Sequence, residues 1–276
     1  MTIAYLIQAH DHYAHLRRLI QSLDAPNVRF YIHIDKRSEL PDLEGHDITF
    51  IEDRVAVHWG GFSQVQATLN LLKEAIAGSH DYYALISGKD YPIRPNQYLL
   101  QQLAEGGEFI HLQKLGEDPF APLSRYKYYY FTDRYNRRDR HSLQTKVFLL
   151  LQRLLRKLRI SKALPFPLFT GASWFVLSHD CVNYILKEVQ ANKKYRSFFR
   201  YGFCADESFF QTIIGNSSFR KTVKPNCTFA DWTANPGPAF ISKAHWQELK
   251  TSDKFFARKF TDDSTELIEM IEKELR

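Results

Sequence analysis

Two adjacent carboxylates, Asp206 and Glu207, lie directly before an apolar run over residues 209–214. The apolar residues fall on one face at helical spacing, so the pattern predicts a helix that begins at the carboxylates. A carboxylate in the first turn of a helix is favoured by the helix dipole, and that alone accounts for many such pairs. The alternative is a positioned general base, which must reach a substrate hydroxyl. The residue types leave both interpretations open.

A transferase that releases a diphosphate must neutralise its negative charge, often with a metal ion held by paired carboxylates. The chain contains no Asp-x-Asp, and the nearest match, Asp-Leu-Glu at 42–44, lies in a loop with a proline. The His-Asp-His cluster at 10–12 and the nearby His15 are only a weak metal signal. Fixed cations can neutralise this charge without a metal, and Arg258 and Lys259 are the candidates. The alternative is a solvated basic pair near the C-terminus.

The first forty residues predict a βαβ unit. Residues 3–9 and 28–34 are apolar runs typical of buried strands, and residues 13–23 between them have helical spacing. This order predicts an α/β fold with a mixed, mostly parallel sheet flanked by helices. Ligands of such sheets bind beyond the carboxyl ends of the strands, so Gln8, His10 and Asp35 are predicted to line a nucleotide site. The chain has neither a G-x-G-x-x-G nor a Walker A pattern.

The rest of the chain predicts a single domain over 1–276. Helices are expected over 64–77, 143–158, 180–190 and 264–275, with Ser63 capping the first. Strands are expected over 48–51, 55–58, 82–86, 109–112 and 169–178. Residues 113–142 have no regular pattern, and a loop of that length is usually functional or mobile.

Positive charge is concentrated in one segment. Residues 125–162 hold twelve Lys and Arg against two Asp, whereas the whole chain has a net charge of +6. The apolar residues of the predicted helix 143–158 form one stripe, with Arg153, Arg156 and Lys157 off it. The stripe either packs in the core or lies on a membrane surface that contains anionic lipids. Nucleic-acid binding is disfavoured, because leucines interrupt the basic stretch.

The cysteines and the N-terminus predict a cytoplasmic protein. Cys181, Cys204 and Cys227 form no C-x-x-C pair and no short zinc spacing, which indicates a reducing compartment. Residues 1–10 lack the basic region of a signal peptide, and no apolar stretch reaches membrane-spanning length. Peripheral contact with the inner face of the cell membrane is the alternative that the basic helix leaves open.

Eight short stretches resemble one enzyme family. They are Ala4-Tyr5-Leu6-Ile7, Ile32-His33-Ile34-Asp35-Lys36, Trp59-Gly60-Gly61, Gly88-Lys89-Asp90-Tyr91-Pro92-Ile93, Gly171-Ala172-Ser173-Trp174-Phe175, Glu207-Ser208-Phe209-Phe210-Gln211-Thr212, Asp231-Trp232 and Phe256-Ala257-Arg258-Lys259-Phe260. Each is weak alone, but in this order they resemble the Core-2/I-branching family, glycosyltransferase family 14. That family includes the branching β-1,6-N-acetylglucosaminyltransferases and the peptide O-xylosyltransferases.

The resemblance implies a GT-A-like, Rossmann-type fold and an inverting, metal-independent transfer from a UDP-sugar to a hydroxyl of a glycan. Glu207 matches the family's general base. Asp35 matches the position near the uracil, and Lys259 with Arg258 matches the position that holds the diphosphate.

The family pattern also implies the residues that contact the sugars. Trp174 and Trp232 match positions near the sugars, where an indole can stack on a sugar face. Asp90 lies in a matched stretch and is predicted on the sugar or acceptor side.

Two departures from the family leave the substrates open. Branching transferases of animals have many disulfides and a membrane anchor, whereas this chain has three cysteines. A bacterial-type relative that acts in glycan, capsule or lipopolysaccharide assembly is therefore expected. The Leu-Arg-Tyr common before the Asp-Trp pair is Cys-Thr-Phe at 227–229 here. The donor sugar (N-acetylglucosamine or xylose) and the acceptor, a free or lipid-linked glycan, thus stay undetermined.

The alternative function is a non-catalytic protein that binds carbohydrate or a lipid-linked glycan. The basic segment and the many aromatic residues would be sufficient for it.

Overall fold

A computed structural model describes residues 1–43, 47–117, 122–137, 139, 141–234 and 237–276. Glu44 of the weak acidic motif therefore lies outside the described residues. The strands are β1 Ile3–Ala9, β2 Val28–Ile34, β3 Ile48–Phe50, β4 Tyr82–Ser87, β5 Asp90–Pro92, β6 Glu108–Ile110, β7 Gln113–Lys114, β8 Phe169–Thr170, β9 Phe175–Ser178, β10 Val223–Lys224, β11 Thr228–Ala230 and β12 Phe256–Arg258. The α-helices are α1 Tyr13–Leu23, α2 Phe62–Ala75, α3 Asn96–Ala104, α4 Ser124–Lys127, α5 Leu143–Lys157, α6 His179–Ala191, α7 Lys193–Phe199, α8 Phe209–Gly215, α9 Trp246–Thr251 and α10 Thr265–Glu274.

The main sheet has seven strands in the order β10-β6-β9-β4-β1-β2-β3. Its β4-β1-β2-β3 half is parallel, and β9 runs antiparallel to both β4 and β6. A smaller sheet, β11-β12-β5, pairs β12 parallel with β11 and antiparallel with β5. The predicted α/β fold with a mixed, mostly parallel sheet flanked by helices is confirmed.

Strand β1 divides the interior into two apolar cores. Successive side chains of a strand point to opposite faces. Ile3, Tyr5 and Ile7 therefore pack with α1 and α10 on one face, while Ala4 and Leu6 pack with α2, α6 and α8 on the other. Both faces of the sheet are covered, which explains why the predicted β1 and β2 are continuous apolar runs.

The strand predicted over 169–178 is two strands, because a close backbone approach interrupts it. A Cβ on Gly171 would lie 1.8 Å from the backbone oxygen of His111. Only glycine fits at that distance, so the chain leaves β8, passes this point and enters β9 at Phe175. Residues 55–58, predicted as a strand, belong to no strand or helix.

Helix α2 begins earlier than predicted and is capped by another segment. Ser63 is the predicted N-cap, but Gly61 occupies that position and has no side chain that could cap the helix. Instead the Asp133 carboxylate accepts hydrogen bonds from the backbone amides of Phe62 (2.9 Å) and Ser63 (3.2 Å) and from the Ser63 hydroxyl (2.6 Å). A Cβ on Gly61 would lie 2.0 Å from this carboxylate, so the glycine makes room for the remote cap.

We expect Asp133→Ala to lower the free energy of unfolding by about 1–2 kcal/mol, the usual cost of losing a helix N-cap. Urea unfolding followed by circular dichroism measures it. Glu269→Ala, which removes an exposed carboxylate from α10, is the matched control and should change stability little. Equal stability of the two variants would contradict the capping role.

Candidate active site

The residues predicted for the site converge on one edge of the main sheet. The parallel strands β1, β2 and β4 end together, with Gln8 beside His33 and Ser87. Because β9 is antiparallel to β4, the beginning of β9 reaches the same edge and brings Trp174 there. The smaller sheet is attached at this edge through the turn between β4 and β5.

Asp35 follows β2 and is held by an arginine. Its carboxylate accepts hydrogen bonds from the backbone amide, Nε and Nη2 of Arg37 (2.9, 3.0 and 2.8 Å) and from the backbone amide of Val57 (2.9 Å). Burial works to raise the pKa of Asp35, but the hydrogen bonds from Arg37 and Val57 outweigh it and lower that pKa to about 2. Asp35 is therefore a fixed anion at the mouth of the predicted nucleotide site.

Gln8 and His10 differ in how firmly they are held. The Gln8 amide donates to the Thr68 hydroxyl (2.8 Å) and accepts from the Gln64 amide (2.6 Å), which fixes it to α2. The His10 side chain is exposed, with Nε2 3.3 Å from the Asp11 carboxylate. Lys89 Nζ lies 2.8 Å from the same carboxylate. This places the His10 imidazole and the Lys89 ammonium around Asp11 at the ends of β1 and β4.

The histidine cluster does not converge on one point. His15 is buried, and its Nε2 lies 3.0 Å from the backbone oxygen of Asp90. Burial lowers the pKa of His15 to about 4, so this ring stays neutral near pH 7. His12 lies between two carboxylates, with Nδ1 3.4 Å from Asp262 and Nε2 3.8 Å from Asp11, so of the three histidines only His10 and His12 approach Asp11. Within the described ranges, no three His, Cys, Asp or Glu side chains are grouped so that they could hold a metal ion.

Asp90 and Arg258 form a buried ion pair. They stand opposite each other in the register of β5 and β12, with Arg258 Nε 3.4 Å from Asp90 Oδ1. Burial raises the pKa of Asp90 and lowers the pKa of Arg258, and each partner opposes the shift of the other. The Arg258 guanidinium lies 4.2 Å from the centre of the Trp174 ring, a cation–π distance.

Part of this pair has unused hydrogen-bonding capacity. Among the described residues, Arg258 Nε and Nη1 and Asp90 Oδ1 are buried and have no hydrogen-bond partner. Buried donors without partners are costly, so a ligand that accepts from them is favoured.

Asp206 and Glu207 are directed to different partners. The Ser173 hydroxyl donates to the Asp206 carboxylate at 2.7 Å. Burial raises the pKa of Asp206, against the effects of the Ser173 hydrogen bond and of Arg125 and Arg258. The two neighbouring carboxylates are therefore not equivalent.

Glu207 lies in a short 3₁₀ turn over Ala205–Glu207, and the α-helix begins only at Phe209. The expectation that both carboxylates start an α-helix is thus corrected. Contacts of the backbone fix the turn. The backbone oxygen of Glu207 accepts hydrogen bonds from the backbone amide of Gly171 (2.9 Å) and from the Thr170 hydroxyl (3.1 Å). The loop around the interrupted strand therefore positions Glu207.

Arg125 pairs with the Glu207 carboxylate and was not predicted from the sequence. Its Nη1 lies 2.6 Å from Glu207 Oε2, and both side chains are half-buried. Burial works to lower the pKa of Arg125, but Glu207 outweighs it and raises that pKa. The ion pair favours the ionised form of Glu207. The two residues are 82 positions apart in the chain, and Arg125 lies in the segment without a regular pattern.

Lys259 and Trp232 lie on neighbouring segments after two parallel strands, β12 and β11. The backbone amide of Lys259 donates to the backbone oxygen of Ala239 (3.3 Å). The backbone amide of Ala239 in turn donates to the backbone oxygen of Asp231 (2.8 Å). The Trp232 side chain is 63% exposed. The indole is thus available to a ligand beside Lys259.

Comparisons with known proteins identify the family of the chain. The family model "Branch: Core-2/I-Branching enzyme" matches residues 3–253. The chain is 27% identical to xylosyltransferase 2 of Rattus norvegicus over 248 residues, 85% of this chain and 27% of that protein. It is 24% identical to xylosyltransferase 1 of Mus musculus over 250 residues, 85% of this chain and 24% of that protein.

The chain spans about a quarter of the length of these curated relatives. Among solved structures, a putative glucose-1-phosphate thymidylyltransferase from Bacillus anthracis aligns with a TM-score of 0.33 at 13% identity, over 67% of this chain and 74% of that chain. That likeness is too weak to carry an argument. The family model covers most of the chain, and the chain belongs to the Core-2/I-branching enzyme family.

Proposed function

We propose that this protein is an inverting, metal-independent glycosyltransferase that moves a sugar from a UDP-sugar to a hydroxyl of a glycan. The observation that carries the proposal is the Glu207–Arg125 pair at 2.6 Å. It places a half-buried carboxylate against a guanidinium at the sheet edge where nucleotide ligands of such folds bind. Membership of the Core-2/I-branching family and the named xylosyltransferase relatives support a sugar transfer.

Glu207 acts as the general base. The acceptor hydroxyl donates a hydrogen bond to the carboxylate, and its oxygen attacks the anomeric carbon as the proton passes to Glu207. The bond between that carbon and the diphosphate breaks in the same displacement, which inverts the anomeric centre. The neighbouring Asp206 is engaged with Ser173. With Asp206 held by Ser173, we assign the single displacement of an inverting transfer to Glu207.

Fixed cations stabilise the departing UDP. The buried Arg258, with its unpartnered donors, and the half-buried Lys259 supply positive charge where the diphosphate develops its negative charge. Asp90 holds Arg258 in place from the opposite side. We assign Asp90 this positioning role rather than direct contact with the acceptor, because its side chain is fully buried.

The substrate contacts are assigned to the remaining residues of the edge. Asp35 accepts from the uracil, with Gln8 and His10 beside the nucleotide, and Trp174 and Trp232 border the sugars. The donor is UDP-xylose or UDP-N-acetylglucosamine, and the names of the relatives favour xylose.

Glu207→Gln should lower the turnover at least about 100-fold, because the amide cannot accept the proton. UDP release from UDP-xylose and from UDP-N-acetylglucosamine measures turnover, and calorimetry with UDP should give an unchanged affinity. Glu52→Gln, on an exposed loop, is the matched control. Wild-type turnover in Glu207→Gln would refute the base. UDP-sugar binding without turnover in the wild type would favour the non-catalytic alternative.

Arg125→Gln should shift the acidic limb of the pH–rate profile to higher pH, because the lost cation no longer favours the ionised base. Arg125→Lys, which keeps the charge, should restore part of the wild-type profile. Arg134→Gln, an exposed arginine in the same segment, is the control. A uniform loss of rate with an unchanged profile would mean that Arg125 acts only structurally.

UDP binding should be unaffected by EDTA, whereas Lys259→Gln should weaken it about tenfold through the loss of one charge-assisted hydrogen bond. Lys194→Gln, an exposed lysine on α7, is the matched control. Binding that disappears in EDTA and returns with Mn²⁺ would contradict the assignment of the diphosphate to fixed cations.

A further inference from the structure

Helix α5 turns its apolar stripe to solvent. Leu143 is 78% exposed, Leu150 66% and Leu158 61%. The interpretation in which this stripe packs in the core is therefore wrong. The whole set of exposed apolar residues on α5 and the segment that follows it is Leu143, Val147, Leu150, Leu151, Leu154, Leu158, Ile160 and Leu164. We call these residues the α5 face.

The opposite side of α5 fixes its orientation. The Thr145 hydroxyl donates to the backbone oxygen of Asn136 (3.1 Å), and the side-chain amide of Gln152 donates to the Tyr135 hydroxyl (2.9 Å). Phe148 stacks on Tyr135, with the ring centres 5.7 Å apart. The helix is thus attached to the body by its polar and aromatic side, and the apolar residues point outward as a consequence.

Cations border the α5 face, and acidic residues are missing from the sequence around it. On a helix of 3.6 residues per turn, Lys146, Arg153 and Lys157 follow one another along one edge of the apolar stripe. All three side chains are exposed. The sequence from 140 to 179 contains neither Asp nor Glu. A binding partner that is complementary to the α5 face is therefore apolar where it meets the leucines and negatively charged where it meets the cations.

We propose that the α5 face docks on the surface of an anionic lipid bilayer. The helix lies in the plane of the interface, with its leucines in the acyl boundary and its cations at the lipid phosphates. No helix within the described residues is long and apolar enough to cross a membrane. A second copy of the chain fits less well, since it would bring the same cations without carboxylates to pair with them.

Docking through this face also sets the position of the active site. The segment after α5 is attached to α4. The backbone amide of Lys162 donates to the backbone oxygen of Lys127 (2.8 Å), and Lys127 lies in α4 together with Arg125. A bilayer bound at α5 is therefore connected, through this hydrogen bond and α4, to the arginine that pairs with Glu207. The docking itself does not depend on catalysis.

Vesicle co-sedimentation tests the proposal on the full chain. The wild type should bind vesicles of phosphatidylglycerol and phosphatidylcholine, and hardly bind phosphatidylcholine alone. The triple variant Lys146→Gln, Arg153→Gln, Lys157→Gln should bind anionic vesicles about 100-fold more weakly, at about fivefold for each cation. Leu150→Ser with Leu154→Ser should lower binding at least about tenfold.

Matched controls separate docking from folding and from catalysis. The double variant Lys194→Gln, Lys243→Gln removes two exposed cations outside α5. Leu40→Ser removes a leucine that is 52% exposed. Both variants should bind vesicles like the wild type. Glu207→Gln should bind vesicles like the wild type even where transfer is lost. Thermal unfolding should be unchanged in every α5 variant. Equal binding to neutral vesicles, no binding at all, or a dimer that Leu150→Ser with Leu154→Ser dissociates would overturn the proposal.

Discussion

The buried pair of Asp90 and Arg258 is the contact on which the site depends. It joins β5, which follows β4 of the main sheet, to β12 of the smaller sheet. Removing one partner of a buried pair leaves an uncompensated charge in a low-dielectric interior, which usually costs about 3–5 kcal/mol. Substitution of either residue is therefore costly in stability. The pair also holds the Arg258 guanidinium 4.2 Å from the centre of the Trp174 ring.

The second ion pair of the site has the opposite character. Arg125 and Glu207 are 23% and 29% exposed, whereas Asp90 is fully buried. A half-exposed pair can open when a substrate hydroxyl arrives, since water and the substrate can replace the lost contact. The buried pair thus provides fixed charge, and the outer pair provides a carboxylate that can exchange partners. This division fits a reaction in which one group receives a proton and another stabilises the leaving diphosphate.

Local periodicity predicted the parts of the fold that are buried on defined faces. The bounds of β1, α1 and β2 match the predicted ones, because each element has an uninterrupted apolar pattern. The strand over 169–178 was predicted too long, because its interruption comes from the approach of His111, which no local pattern records. Contacts between remote segments, such as Asp133 at the start of α2 and Arg125 at Glu207, were missed for the same reason.

The amphipathic pattern of α5 shows the limit of periodicity most clearly. A stripe of leucines states that one side of a helix is apolar, but not what that side contacts. Here Thr145, Phe148 and Gln152 find partners on the body, and this fixes the rotation of the helix about its axis. The leucines therefore face solvent and not the apolar cores of the protein. The outward stripe is therefore a consequence of specific polar and aromatic contacts, and it needs an apolar surface from outside the chain to become buried.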